Sequence, residues 1–250
     1  MLAGETVFGV FMFTDSLNNM EIVARSGVDW VLVDLEHGTA SEAALSPMLM
    51  ATRGTTATAL VRVESGERIR VGRVLDLGAE GVMVPQVHSA DDAGAVARWM
   101  RTQPAGDRGI ALFTRGMDYG TVGHAGVAAR HEDLLCIVQI ESRGALDEVD
   151  QIAATDGVDV LFVGPTDLTH ALGIPGQLDQ PAYQDAISRV GEAARRSGKA
   201  AGVLLWKPED VRRYTALGFT FFGLSSEAMI LDRAVRSALD VARAGVAVES

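Results

Sequence analysis

Apolar runs of strand length recur along this chain, and four of them stop in the same way, at a cluster of polar and ionisable residues. These are Val31–His37 (VLVDLEH), Leu60–Glu64 (LVRVE), Ile137–Glu141 (IVQIE) and Leu161–Asp167 (LFVGPTD). Near-continuous Val, Ile, Leu and Phe is how a parallel strand covered on both faces reads. The pattern marks eight strands: Phe8–Phe13, Trp30–Glu36, Thr58–Val63, Gly81–Val87, Leu135–Glu141, Val160–Pro165, Ala201–Leu205 and Phe219–Leu224. Helical spacing fills most of the gaps, at Leu17–Arg25, Ser41–Thr52, Arg68–Leu77, Ala90–Arg101, Gly144–Ala154, Pro181–Ser197, Pro208–Leu217 and Glu227–Ala244. A glycine stands shortly before an apolar run at Gly27, Gly78, Gly157 and Gly218, the usual joint between a helix and the strand after it.

This alternation predicts an α/β chain forming a single (β/α)8 TIM barrel over residues 1–250, with no internal domain boundary. An open doubly wound sheet would call for a glycine-rich phosphate turn after the first strand, and TDSLNNMEIV stands there instead. One segment breaks the rhythm. Thr102–Asp133 carries six glycines with Arg108, Arg115, His124, Arg130 and His131, and reads as a loop over the barrel mouth or as an oligomer contact.

Composition narrows the partners. Hydrophobic residues make up 48% and aromatics only 6%, so the core is aliphatic; Lys+Arg 22 against Asp+Glu 33 gives a net charge of −11, which repels phosphate backbones and anionic lipid. No nucleic-acid or membrane partner is expected. The lone cysteine, Cys136, lies inside LLCIVQIE and reads as a buried structural thiol, in keeping with a reducing cytoplasm. The N-terminal MLAGETVFGVFMF shows neither a basic segment nor a cleavage site, and no signal or anchor is expected.

In barrels of this kind the chemistry collects at the carboxyl ends of the strands. Glu141 and Asp167 stand about one βα unit apart, so they fall on adjacent strand tips, where two carboxylates suit a hard divalent cation such as Mg²⁺ or Mn²⁺. They read equally as solvated carboxylates. His37 and Arg62 form a second neighbouring pair: the cation would stabilise negative charge on oxygen, and the imidazole would move a proton. Asp34 either orients that imidazole or forms a structural ion pair with Arg62, leaving His37 to cap a helix. The turn Gly164-Pro165 then opens a helix whose first amides, around Thr166 and Asp167, would bind a carboxylate beside the cation. A small 2-oxo acid fits. His88, His124, His131 and His170 read as structural, and Trp30, Trp99 and Trp206 as packing or mouth residues.

Taken together, DLEH, LVRVE, LDLGAEGVMVPQV, QIES, DGVDVLFVGPTDL and LGIPG, in this order, resemble the metal-dependent class II pyruvate aldolases. These include the 4-hydroxy-2-oxoheptanedioate and 2-dehydro-3-deoxyglucarate aldolases, within the superfamily of citrate lyase beta subunits. The resemblance implies a barrel of the phosphoenolpyruvate/pyruvate-binding type, with Glu141 and Asp167 holding Mg²⁺, Mn²⁺ or Co²⁺. That ion would chelate pyruvate, with Gln139 lining the site and Gly164, Pro165, Thr166 and Asp167 cradling the substrate. Arg62 would stabilise the enolate, and His37, paired with Asp34, would act as acid and base on the aldol hydroxyl. It further implies that Asp76, in LDLGA, serves a subunit contact near the mouth, and that the chain forms hexamers with its last helix packed on a neighbour. The implied reaction is reversible cleavage of a 4-hydroxy-2-oxo acid to pyruvate and an aldehyde.

The chain departs from the pattern at Arg101-Thr102-Gln103-Pro104-Ala105, where relatives often carry Tyr-Pro-Pro, in the loop Thr114–Tyr119, and at Leu35, where Gly is common. These changes leave the aldehyde partner open. A Schiff-base route is disfavoured, since the only lysines are Lys199 and Lys207 and neither sits in an apolar setting. The alternatives are an oxaloacetate decarboxylase or acyl-CoA lyase using the same enolate, and a non-catalytic 2-oxo-acid-binding barrel.

Overall fold

The computed structural model describes residues 4–247. Eight parallel strands pair in chain order and close on themselves: β1 (Val7–Met12), β2 (Trp30–Asp34), β3 (Thr58–Arg62), β4 (Gly81–Val84), β5 (Leu135–Ile140), β6 (Val160–Val163), β7 (Ala200–Leu204) and β8 (Phe219–Ser226). β8 returns to β1, so the sheet has no edge and the barrel expected from the apolar pattern is the fold. Several strands end earlier than their apolar runs do. β4 stops at Val84, and β6 at Val163, because Pro165 already belongs to the first turn of a helix.

The helices are α1 (Leu17–Arg25), α2 (Glu42–Ala51), α3 (Arg68–Asp76), α4 (Ala90–Met100), α5 (Gly123–Glu132), α6 (Arg143–Asp147), α7 (Val149–Ala154), α8 (Pro165–Ala171), α9 (Pro181–Arg196), α10 (Val211–Thr215) and α11 (Glu227–Ala247). Their starts follow local chemistry: Ser16, Ser89 and Ser142 each accept an amide of the first turn. The stretch expected as one helix at Gly144–Ala154 is two, broken at Glu148, whose carboxylate receives the Ala90 amide at 2.8 Å.

Two apolar layers hold the barrel. Side chains facing outward pack beneath the helices, while Phe11, Trp30, Leu32, Leu60, Met83, Ile137, Phe162 and Phe221 fill the interior. Trp30 stacks on Phe221 with ring centroids 4.7 Å apart. It fits because β1 carries Gly9, where an added Cβ would lie 1.9 Å from the indole. Phe11 and Phe162 form the upper part of this interior and the floor of the mouth.

The glycine-rich segment corrects one expectation. It joins α4 to β5, and helix-to-strand joints lie at the amino-terminal end of the strands, away from the mouth. Arg115 donates to the Leu49 carbonyl at 3.2 Å, Gly116 sits against the Leu75 carbonyl, and Arg108 pairs with Asp76 at 2.8 Å, so the segment packs on the C-terminal ends of α2 and α3. It is no lid over the mouth.

α11 leaves the barrel. It touches the tips of β1 and β8, and from Met229 to Gly245 its residues are exposed. Among the described residues no helix is long and apolar enough to cross a membrane.

Candidate active site

The register of β2 and β3 sets Asp34 directly opposite Arg62 at the two strand tips. Asp34 is fully buried and grips the guanidinium with both oxygens, Nε to Oδ1 at 2.9 Å and Nη2 to Oδ2 at 2.5 Å. This fork geometry is the strong form of the ion pair. Oδ1 also accepts the amides of Glu36 (3.0 Å) and His37 (3.3 Å), which folds the DLEH turn over the strand end. Asp34 is therefore committed to Arg62 and the turn, and the pairing of Asp34 with the imidazole is corrected to the ion-pair reading. The nearest carboxylate to the ring is Glu36, whose Oε2 lies 3.8 Å from His37 Nε2.

Glu36 is the functional candidate that sequence reasoning passed over. Its Oε2 is also 3.2 Å from Arg62 Nη1. Burial raises its pKa, Arg62 and then His37 oppose the rise, and the charges of Asp34 and Asp167 add to it. The signal was present, since DLEH places three ionisable side chains in four positions. Arg62 itself stays charged: burial works against the cation, and the Asp34 hydrogen bonds and charge outweigh it. Its guanidinium lies 5.3 Å from the Phe11 ring centre.

From Arg62 a chain of polar contacts crosses the mouth. Nη1 reaches Gln139 Oε1 at 3.4 Å, and Gln139 Nε2 donates to Glu141 Oε2 at 2.7 Å. Glu141 Oε1 accepts the Gln86 amide at 2.8 Å, presented by a residue in the left-handed region (φ 58°). Burial is the largest influence on Glu141 and pushes its pKa up to about 7; the charges of Asp167 and Glu36 push the same way, against the Gln86 hydrogen bond and Arg62. Gly164 permits this closeness, because a Cβ there would meet Glu141 Oε2 at 2.7 Å. Asp167 stands exposed in the first turn of α8.

A cavity of about 220 Å³ lies over this chain of groups, and His37, Arg62, Gln139, Gly164, Pro165, Thr166 and Asp167 all line it. Phe11, Phe13, Phe162 and Leu204 supply its apolar wall, a contribution sequence reading did not identify. Asp76 is not brought to this cavity; it ends α3 at the opposite end of the barrel. His88, bonded to Ser142 at 3.0 Å, and the buried His131 also lie outside it. Cys136 is buried, and burial drives its pKa upward, as a structural thiol requires. Lys207 borders a separate polar groove with Asp210 and Arg213.

The donor set fits a hard divalent cation. Glu141 is held almost fully buried and the charge of Asp167 adds to the rise in its pKa, a cost that a bound cation would remove. Among the described residues no group of three His, Cys, Asp or Glu side chains is gathered for a metal. The residues that would hold such an ion are Glu141 and Asp167.

Comparison with known proteins agrees with the barrel fold. The family model of the HpcH/HpaI aldolase/citrate lyase proteins matches residues 7–234. The chain belongs to the HpcH/HpaI aldolase/citrate lyase family. Within it, the chain is 37% identical over 220 residues to the 5-keto-4-deoxy-D-glucarate aldolase of Klebsiella pneumoniae, covering 88% of this chain and 86% of that one. It is 34% identical over 240 residues to the enzyme of the same name from an Enterobacter strain, covering 96% and 93%. A crystal structure of a family protein from Burkholderia cenocepacia superposes with a TM-score of 0.91 at 33% identity, over 96% of this chain and 95% of that one. The chain is an aldolase-family enzyme, and the non-catalytic alternative loses its ground.

Proposed function

We propose that this protein is a divalent-metal-dependent aldolase that reversibly cleaves a 4-hydroxy-2-oxo acid to pyruvate and an aldehyde. The observation that carries the reading is the convergence of His37, Arg62, Gln139 and Asp167 on one small cavity, with Glu141 bonded directly behind Gln139. Glu141 and Asp167 would hold Mg²⁺, Mn²⁺ or Co²⁺, which when bound supplies Lewis-acid polarisation of the 2-oxo group.

The chain's own residues do the rest. Arg62, locked by Asp34, presents a fixed positive charge where oxygen becomes negative as the carbon–carbon bond breaks; a preorganised donor of this kind needs no rearrangement during the reaction. Gln139 holds Glu141 in place from one side and meets Arg62 from the other. The first-turn amides of α8 have no acceptor within the helix, and those of Thr166 and Asp167 face the substrate carboxylate in this reading. His37, at the cavity rim, takes the proton of the 4-hydroxyl in cleavage and returns it in synthesis. Phe11, Phe162 and Pro165 keep water away from the carbanion.

The last helix supports an oligomer. Leu231, Val235 and Leu239 form an exposed apolar ridge at intervals of four. A second copy of the chain is the occupant we infer for it, in a hexamer where Asp76 reaches a neighbour's mouth. The enzyme works in the reducing cytoplasm, consistent with its single buried thiol. The test is pyruvate release from 4-hydroxy-2-oxo acids. Release that needs a divalent ion and stops with EDTA supports the reading, and release indifferent to chelation refutes it.

A further inference from the structure

The catalytic cavity has a neighbour. A second cavity of about 420 Å³ opens beside it, and the two share Phe11, Phe13, Thr166 and Leu204 as common wall. Beyond that wall the second cavity is bounded by Leu205, Trp206 and Met229. It lies on the side of the catalytic cavity formed by the ends of β7 and β8.

This space offers few hydrogen bonds. Ser225 directs its hydroxyl to the Met229 sulfur at 3.6 Å, and Ser226 accepts the Met229 amide at 3.3 Å while keeping its own proton, so Ser226 and Thr166 are the only wall hydroxyls with a donor to spare. Ser225 is held there in the left-handed region (φ 82°), which a non-glycine residue adopts only under constraint from its surroundings. The one charged side chain, Arg233, donates to the Trp206 carbonyl at 3.4 Å. The wall is mostly Phe11, Phe13, Leu204, Leu205, Trp206 and Met229, against which an apolar chain sheds water, whereas a polyhydroxylated chain would leave most of its hydroxyls without a partner.

We propose that this second cavity binds the tail of the aldehyde, and that the enzyme's preferred electrophiles are aldehydes with unbranched or aromatic hydrocarbon substituents. The inference rests on the aldolase reading above and adds to it the class of the second substrate. In the synthetic direction C3 of pyruvate loses a proton and bonds to the aldehyde carbon, while the aldehyde oxygen gains a proton; no oxidant or reductant enters. Leu204 and Phe13 stand at the junction and set the direction of the tail.

The experiment measures kcat/KM for condensation with pyruvate across propanal, butanal, pentanal and hexanal, with glyceraldehyde as the hydroxylated counterpart of propanal. Deuterium exchange at C3 of pyruvate, in the presence of Mg²⁺ and without aldehyde, is followed in parallel. The proposal predicts a rise of roughly fourfold per added methylene, the factor expected for moving one such group out of water, with glyceraldehyde below propanal. Met229→Glu, at a half-exposed rim position that tolerates a charge, should flatten the chain-length series. A series flat or falling in the wild type, or glyceraldehyde above propanal, overturns the proposal while exchange upholds the aldolase reading. A Met229→Glu enzyme that is slower with every aldehyde yet keeps the same slope also overturns it. If pyruvate does not exchange at all, the aldolase reading fails and this assignment falls with it.

Discussion

Arg62 and Asp34 are a buried pair whose value depends on both partners being present. Replacing Arg62 by Met leaves the Asp34 carboxylate fully buried with only the two turn amides, and should cost about 3–5 kcal/mol of stability in urea unfolding. Arg62→Lys keeps the charge and loses the fork, so the fold should survive with kcat lowered by roughly 10² to 10³. Glu141 behaves oppositely. Its folded pKa of about 7 lies above the ordinary 4.5, so between these values the folded chain binds more protons than the unfolded one, and stability from this group is lost as pH rises through about 7. The span corresponds to a cost on the order of 3 kcal/mol for carrying the charge without a cation. In EDTA at pH 8, Glu141→Gln should therefore melt higher than the wild type, and the difference should shrink as pH falls through about 7 and vanish below about 4.5. Saturating Mn²⁺ should reverse the order at pH 8. A wild type that melts higher than the variant in EDTA at pH 8 would contradict the electrostatic account of this residue.

At the scale of elements, the strands were legible because burial on both faces leaves nearly unbroken aliphatic runs, and α1 has the bounds its sequence predicts. The strand ends were less legible, since DLEH and GPTD continue an apolar run as turns fixed by Asp34 and Pro165. α5 was hidden by its glycines and low apolar content, and is held by tertiary contacts such as Arg130 to the Gly116 carbonyl at 3.0 Å. The roles of Asp34 and Glu36 could not be separated by spacing, because two carboxylates two residues apart compete for the same Arg, and only the strand register decides. One link depends wholly on distant sequence: Glu227, at the start of α11, accepts the amides of Phe13 and Thr14 at 2.8 Å each and the Thr14 hydroxyl at 2.5 Å. It ties the last helix to the cavity wall. Glu227→Ala should cost about 2 kcal/mol and raise KM for the aldehyde more than it lowers pyruvate exchange, since Phe13 stands in both cavities. In β1, Gly9→Ala drives a methyl into Trp30 and should cost about 3 kcal/mol, read from the urea midpoint.

For the whole molecule, the barrel supplies a rigid ring that aims side chains from four strand tips at one point, while α11 reaches away from it. Its apolar ridge is left uncovered by the rest of the chain. Leu231→Glu with Leu239→Glu should reduce the sedimenting mass while circular dichroism keeps the wild-type spectrum. An unchanged mass would remove the helix from the assembly. The central claim, that Glu141 and Asp167 together hold the ion that activates pyruvate, is tested most directly by Mn²⁺ binding followed by electron paramagnetic resonance. The account predicts one Mn²⁺ per chain, tightened by oxalate as a planar mimic of the enolate, and lost in both Glu141→Gln and Asp167→Asn. Mn²⁺ bound with undiminished affinity by either variant would contradict it.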